Sequence, residues 1–360
     1  MSDNLFDRLF ELFQSPGPVN WKLAHEVIGS VAGGREVIEP KLADEYQELA
    51  VAAELRAADT PGITVALGTS LHPVDRATWA EENEQSFRFL FEPLADRLST
   101  MKGGEGPMAA MLQPLGPALL GMQAGTLIGL MSHDALGQFD AGLPALDHDR
   151  RYLIVPNVEG FATTHGLDTR QVRMWAATRE VVHHAIVAVV WLRSHVVTLV
   201  GNYFADIDFD LSGLMERLGT VDDPARIQEL IGDTEGLPAL LGGEPDPMKR
   251  DAIAALLVFV DGYGRWAARR ALIDVVPTVD EIERAALARR EEPSQADQAL
   301  AQLAGISVDR AMSRDAAEFT TEVESRWGIE AVTRLWESPD ALPTLAELTD
   351  PVGWAARTLL

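Results

Sequence analysis

The chain contains no cysteine. Disulfides, thiolate-held zinc and thiol nucleophiles are therefore excluded, and the composition suits a reducing cytoplasm. Cations are scarce as well: 30 Lys and Arg face 55 Asp and Glu, for a formal net charge of −25. Such an excess repels phosphate backbones and anionic lipid, so neither nucleic acid nor a membrane surface is an expected partner. No Gly-x-Ser-x-Gly elbow and no phosphate-binding loop occur. The opening MSDNLFDRLFELF has neither the cationic start nor the continuous apolar core of a secretory signal. Residues 1–14 read instead as an amphipathic segment, docked or frayed, with a polar face too acidic for a membrane surface.

What is present is the composition of a globular protein: 360 residues, 47% hydrophobic and 24% charged. Periodicity predicts a mainly α, single domain over residues 1–360, with at most a small β element. Asn20 caps a first helix that stops at Gly33-Gly34, and Leu42 to Ala53 mark a second. Ile63 to Leu67 is a strand or a buried loop. Trp79 to Leu98 trace a third helix, followed by a turn-rich linker at 102–107. Met108 to Ser132 carries no charge, yet Pro114, Pro117, Gln113 and Gln123 and the lack of cationic flanks favour a core helix over a membrane span. Gly121, Gly125 and Gly129 give that helix a face on which another backbone can lie close.

Leu153 to Pro156 is the best strand candidate. Residues 232–248, rich in Gly and Pro, read as the longest loop. Asp246-Pro247 starts a helix that runs to about Val276, and Thr278 to Glu281 has the spacing of a capping box. Shorter helices follow around Leu300, Phe319 and Val332.

The chain is organised around Trp175 to His195, WAATREVVHHAIVAVVWLRSH. Val172, Ala176, Arg179, His183 and Val187 share one helical face, with Asp168 and Thr169 upstream as cap residues. Within it stands Arg179-Glu180-Val181-Val182-His183. In zinc peptidases His-Glu-x-x-His places two metal ligands one turn apart, and the Glu polarises the metal-bound water. Here Glu180 and His183 are in register, but Arg179 has no lone pair and stays protonated. Glu-x-x-His alone reads first as a structural histidine. No other histidine has Glu three residues before it, which removes a di-iron site. His183 and His184 point about 100° apart and do not share a metal easily. Asp147-His148-Asp149 reads as a solvated turn, and Gly262-x-Gly264 as a point of close packing.

Several short stretches, in this order, resemble the zincin-like type 2 metallopeptidases, a largely actinobacterial family. They are Val19 to Ala24, Leu120 to Gly125, Val155-Pro156-Asn157, the Arg179–His183 motif with Trp191-Leu192-Arg193, Val260 to Tyr263, Trp336 to Pro339 and Leu342 to Thr344. The resemblance spans nearly the whole chain and implies a mainly helical, zincin-like hydrolase fold. It implies Glu180 as general base, His183 as a metal ligand, and Asp261, where Glu is expected, as the third ligand. Two departures follow: Arg179 stands for a histidine, and Asp261 is one methylene shorter than Glu.

Catalytic zinc takes three protein ligands and an open water position, so no cofactor is expected here. A buried, unpaired guanidinium is costly, so Arg179 either snorkels to the surface or meets an acid, for which Glu180 and Asp261 are the obvious anions. Arg179 and Asp261 are therefore expected to form a structural ion pair in the place of the metal. The resulting expectation is a scaffold that binds a protein or peptide and has lost catalysis. The rival is an active zinc hydrolase using Glu180, His183 and Asp261. Oligomeric state stays open.

Overall fold

The computed structural model describes residues 17–99, 115–140, 142–146, 150–207, 246–306 and 312–360. The amphipathic segment 1–14, the linker 102–107, the start of the uncharged run, Asp147-His148-Asp149 and nearly all of the 232–248 loop lie outside the described residues.

The described chain is mainly helical, with one small sheet. Asn20 starts α1 (Trp21–Ala32) by accepting the Leu23 amide at 3.0 Å. α2 (Pro40–Ala57) follows, with Pro in its first turn, where the missing N–H is no loss. Ile63 and Val65 are buried in irregular chain, and the strand lies further on, at β1 (Leu71–Val74).

The expected third helix is broken in two. α3 (Arg76–Glu82) ends where the Asn83 amide side chain turns back onto the Trp79 carbonyl, and α4 (Arg88–Ser99) resumes after a short 3₁₀ turn. Next come α5 (Leu115–Asp134), β2 (Arg151–Ile154) and α6 (Val155–His165). Pro156 belongs to the first turn of α6, so the apolar run ends as strand and continues as helix.

α7 (Thr169–Val187) carries the motif, and Asp168 caps it by accepting the Gln171 amide at 2.9 Å. α7 ends at Val187, and across 188–191 the axis turns by 76° into α8 (Leu192–Ala205). α9 (Pro247–Leu272) begins at Asp246 as expected. α10 (Val279–Ala288) has no capping box, because the Thr278 hydroxyl donates to the Gln171 side chain instead, at 2.8 Å. The capping box in this region belongs to α11 (Gln295–Ala304), between Ser294 and Asp297. α12 (Met312–Trp327), α13 (Ile329–Arg334) and α14 (Pro351–Thr358) complete the described chain.

β1 and β2 pair in parallel, with Leu71 opposite Arg151. α7 lies at the centre: it packs on α2, α6, α9, α10 and β2, and twelve of its nineteen residues are buried. Most of the described buried apolar residues, from Val19 to Ala355, form one connected cluster. No single described helix is long and apolar enough to cross a membrane.

α1 lies on the glycine face of α5. A Cβ at Gly121 would stand 2.3 Å from the Asn20 carbonyl oxygen, and one at Gly125 would stand 2.5 Å from that of Ala24. Both obstacles are backbone, so a side chain forces the helices apart. Gly121→Ala should therefore lower stability by about 1–3 kcal/mol from overpacking. That outweighs the gain in helix propensity of up to about 1 kcal/mol. Urea denaturation checks it, with a midpoint below that of the wild type as the expected result.

Candidate functional site

Successive residues on α7 point about 100° apart, so Arg179 and Glu180 serve different neighbours. Arg179 faces α9. Its Nη2 donates to Asp261 Oδ1 at 2.8 Å and stands 3.6 Å from Asp140 Oδ1. The guanidinium carbon lies 5.3 Å from the Trp175 ring centroid. The residue is 4% exposed, which rules out a side chain reaching for the surface. Among the described residues, Arg179 Nη1 has no hydrogen-bond partner.

This contact is part of a larger network of buried and half-buried charges. Arg265 Nε, one turn along α9, donates to Asp261 Oδ2 at 3.0 Å, and its Nη1 donates to Glu283 Oε2 at 2.8 Å. Glu283, on α10, also accepts from Trp175 Nε1 at 2.6 Å. Asp140 lies just after α5 and accepts from Arg289 at 2.9 Å and from Arg290. Arg290 also lies 3.7 Å from Asp261. Four guanidiniums and three carboxylates thus join α7, α9, α10 and the chain after α5. Burial alone would raise both aspartates. Arg265, Arg179 and Arg290 outweigh it at Asp261, and Arg290, Arg289 and Arg179 at Asp140, so both carboxyls stay well below the usual range.

Glu180 faces the other way. Its carboxylate accepts the amides of Gln138 at 3.0 Å and Tyr152 at 3.2 Å, so it ties the chain after α5 to β2. Burial pushes its carboxyl up to about 8, against those amides and the Arg151 charge. His183, 3% exposed, donates from Nδ1 to the Arg179 carbonyl at 2.8 Å. That bond leaves a lone pair on Nε2, which has no partner among the described residues. Burial, then the Arg179 charge, lowers the imidazole to about 4, so it is neutral. A Cβ at Gly264 would lie 2.4 Å from Nε2, which is why α9 carries glycine there. The Phe139 ring stacks on the imidazole with centroids 6.4 Å apart.

Arg179, Glu180, His183 and Asp140 share a pocket with Leu136, Gly137, Leu153, Trp175 and Ala176. Its free space is about 10 Å³, the room of about one water molecule. His183 Nε2 is a suitable zinc donor, but the rest of the set is not. Asp261 is taken up by three guanidiniums, and Arg179 adds a cation beside the imidazole. Among the described residues no group of three or more His, Asp or Glu could hold a metal ion. The residues therefore do not fit a catalytic zinc. The sequence pointed to Arg179, Glu180, His183 and Asp261; it missed Asp140, Arg265, Glu283, Arg289 and Arg290. The adjacent Arg289-Arg290 pair was the available signal.

Two measurements follow from this geometry. Asp261→Ala leaves Arg179 and Arg265 buried without their shared carboxylate, which should cost about 3–5 kcal/mol in urea denaturation. The second is a pH dependence. In the folded protein Glu180 keeps a proton that the unfolded chain releases above its ordinary 4.5, so stability falls as pH rises towards about 8. His183 acts oppositely: unfolded, it takes up a proton below 6.5, while folded it waits until about 4. The two oppose each other up to 6.5, and above that Glu180 acts alone of the pair. Glu180→Gln should flatten the fall between pH 6.5 and 8 by up to about 1.4 kcal/mol per pH unit. Denaturation midpoints at half-unit intervals read it.

The chain is similar to the crystal structure of "a putative hydrolase with a novel fold" from Chloroflexus aurantiacus, with a TM-score of 0.68 and 22% identity. The alignment covers 94% of this chain and 98% of that one, and at such identity it speaks for the fold alone. No curated protein matches the sequence. The family description "zincin-like metallopeptidase" matches residues 19–355, from just before the α1 cap to the last turns of α14. By the extent of that match, the protein belongs to the zincin-like metallopeptidase family.

Proposed function

We propose that this family member has lost zinc-dependent hydrolysis and works as a binding or scaffold protein for a protein or peptide partner. One observation carries the reading: a guanidinium, clasped by Asp261 at 2.8 Å, stands at the position of the first motif ligand. A metal site needs lone pairs, and Arg179 offers none at any ordinary pH. Glu180 supports the same reading. Its carboxylate is spent on two backbone amides, so the general base of a hydrolase is here a tie between chain segments. The space beside it admits about one water and no peptide.

The unpartnered Nε2 of His183 favours the rival, an active metal hydrolase in which His183 and Asp261 are ligands. Metal analysis of protein purified without chelator separates the two. The scaffold reading expects far less than one zinc per chain, and near-stoichiometric metal would replace it with the hydrolase. Arg179→His restores an imidazole one turn from His183 and should tighten zinc binding at least tenfold, about 1.4 kcal/mol. Calorimetry with zinc alone reads that change, and an unchanged isotherm would remove Asp261 from the inferred ligand set.

A further inference from the structure

Residues 135–140, Ala-Leu-Gly-Gln-Phe-Asp, cover the pocket without belonging to any helix. They run along the free edge of β2. Gly137 bridges Leu153 in antiparallel sense, the Gln138 amide donates to the Tyr152 carbonyl at 3.1 Å, and the Ile154 amide donates to the Leu136 carbonyl at 2.8 Å. At the near end, Asn157 Nδ2 holds the Ser132 and Ala135 carbonyls where α5 stops. At the far end, Asp140 is gripped by Arg289 and Arg290. Between them, Phe139 lies on His183, and the Gln138 side chain exchanges hydrogen bonds with Asn83.

We propose that residues 135–140 are a strap, hinged at Ala135 and pinned through Asp140, whose release opens the pocket to whatever binds Arg179, Glu180 and His183. The strap shuts in two polar atoms that have no hydrogen-bond partner among the described residues, Arg179 Nη1 and His183 Nε2. A buried donor or acceptor left unpaired carries a desolvation cost, which water relieves once the cover lifts. The shut state is thus held by the Asp140 and Gln138 contacts against a standing penalty beneath them. Opening is local, because the hinge bonds at Asn157 and the α7–α9 contact at Asp261 involve no strap residue beyond Ala135. The strap acts whether or not a metal ever binds, so its failure and that of the scaffold reading are separate results.

The test combines hydrogen exchange with carbethoxylation of histidine by diethyl pyrocarbonate, mapped by mass spectrometry. Asp140→Asn keeps the shape of the pin and removes its charge. The Gln138 and Ile154 amides should then exchange at least tenfold faster, and His183 should be modified at least tenfold faster, with amides inside α7 and α9 unchanged. Asn83→Ala loosens the strap from the side away from the guanidiniums, and it decides the matter should Asp140→Asn fail to fold. Exchange of the strap amides only at the rate of the α7 interior would show a segment that opens solely on global unfolding. That result overturns the proposal, and so does a strap that opens while His183 reactivity stays at its wild-type value.

Discussion

The structure turns on the contact between Arg179 and Asp261. Neither charge can be buried alone; each is tolerable because the other stands 2.8 Å away. On the reading proposed above, Arg179 and Asp261 draw α7 and α9 together through a guanidinium where a metal site would do so through an ion.

That exchange has consequences around it. A metal brings its own positive charge to its ligands, whereas here the charge arrives on a side chain and must be balanced by side chains. Asp140, Glu283, Arg265, Arg289 and Arg290 meet that need, and they do so from three separate elements. The cost of desolvating these seven charged groups, three of them buried and four half-buried, is offset only when most of their donors and acceptors are paired. The network largely meets that condition, with Arg179 Nη1 as one gap beside the pocket. The same helix serves a second task on its other face, where Glu180 fastens β2 to the chain after α5. α7 is therefore the piece against which the rest is assembled.

Much of this could be read from the amino acids, and the limits have a physical pattern. Local chemistry was legible: the caps at Asn20, Asp168 and Asp246, the glycine face of α5, and the close packing at Gly264 all depend on neighbours in sequence or on helical spacing. What failed depended on distant partners. Thr278 has the local signature of a capping box, yet Gln171, 107 residues away, takes its hydroxyl. Asn83 ends α3 while its side chain also binds Gln138, and nothing in the apolar period of Trp79 to Leu98 records that. The Arg179–Asp261 contact was reachable because charge bookkeeping demands an acid for a buried Arg. Asp140 was not, since it sits in irregular chain with no period and no motif.

The altered pairing also changes what the remaining motif residues can do. A glutamate beside a catalytic metal works by taking a proton from water that the ion has made acidic. In the scaffold reading no ion acidifies that water, and a carboxyl raised to about 8 by burial has no acidified partner to meet. Its oxygens are better matched to what they touch, two backbone amides whose N–H groups would otherwise be buried near it. His183 follows the same logic, spending Nδ1 on the helix that carries it. On the reading proposed above, the motif persists because helix, strap and strand were all built against it, and replacing Glu180 or His183 would disturb those three elements together.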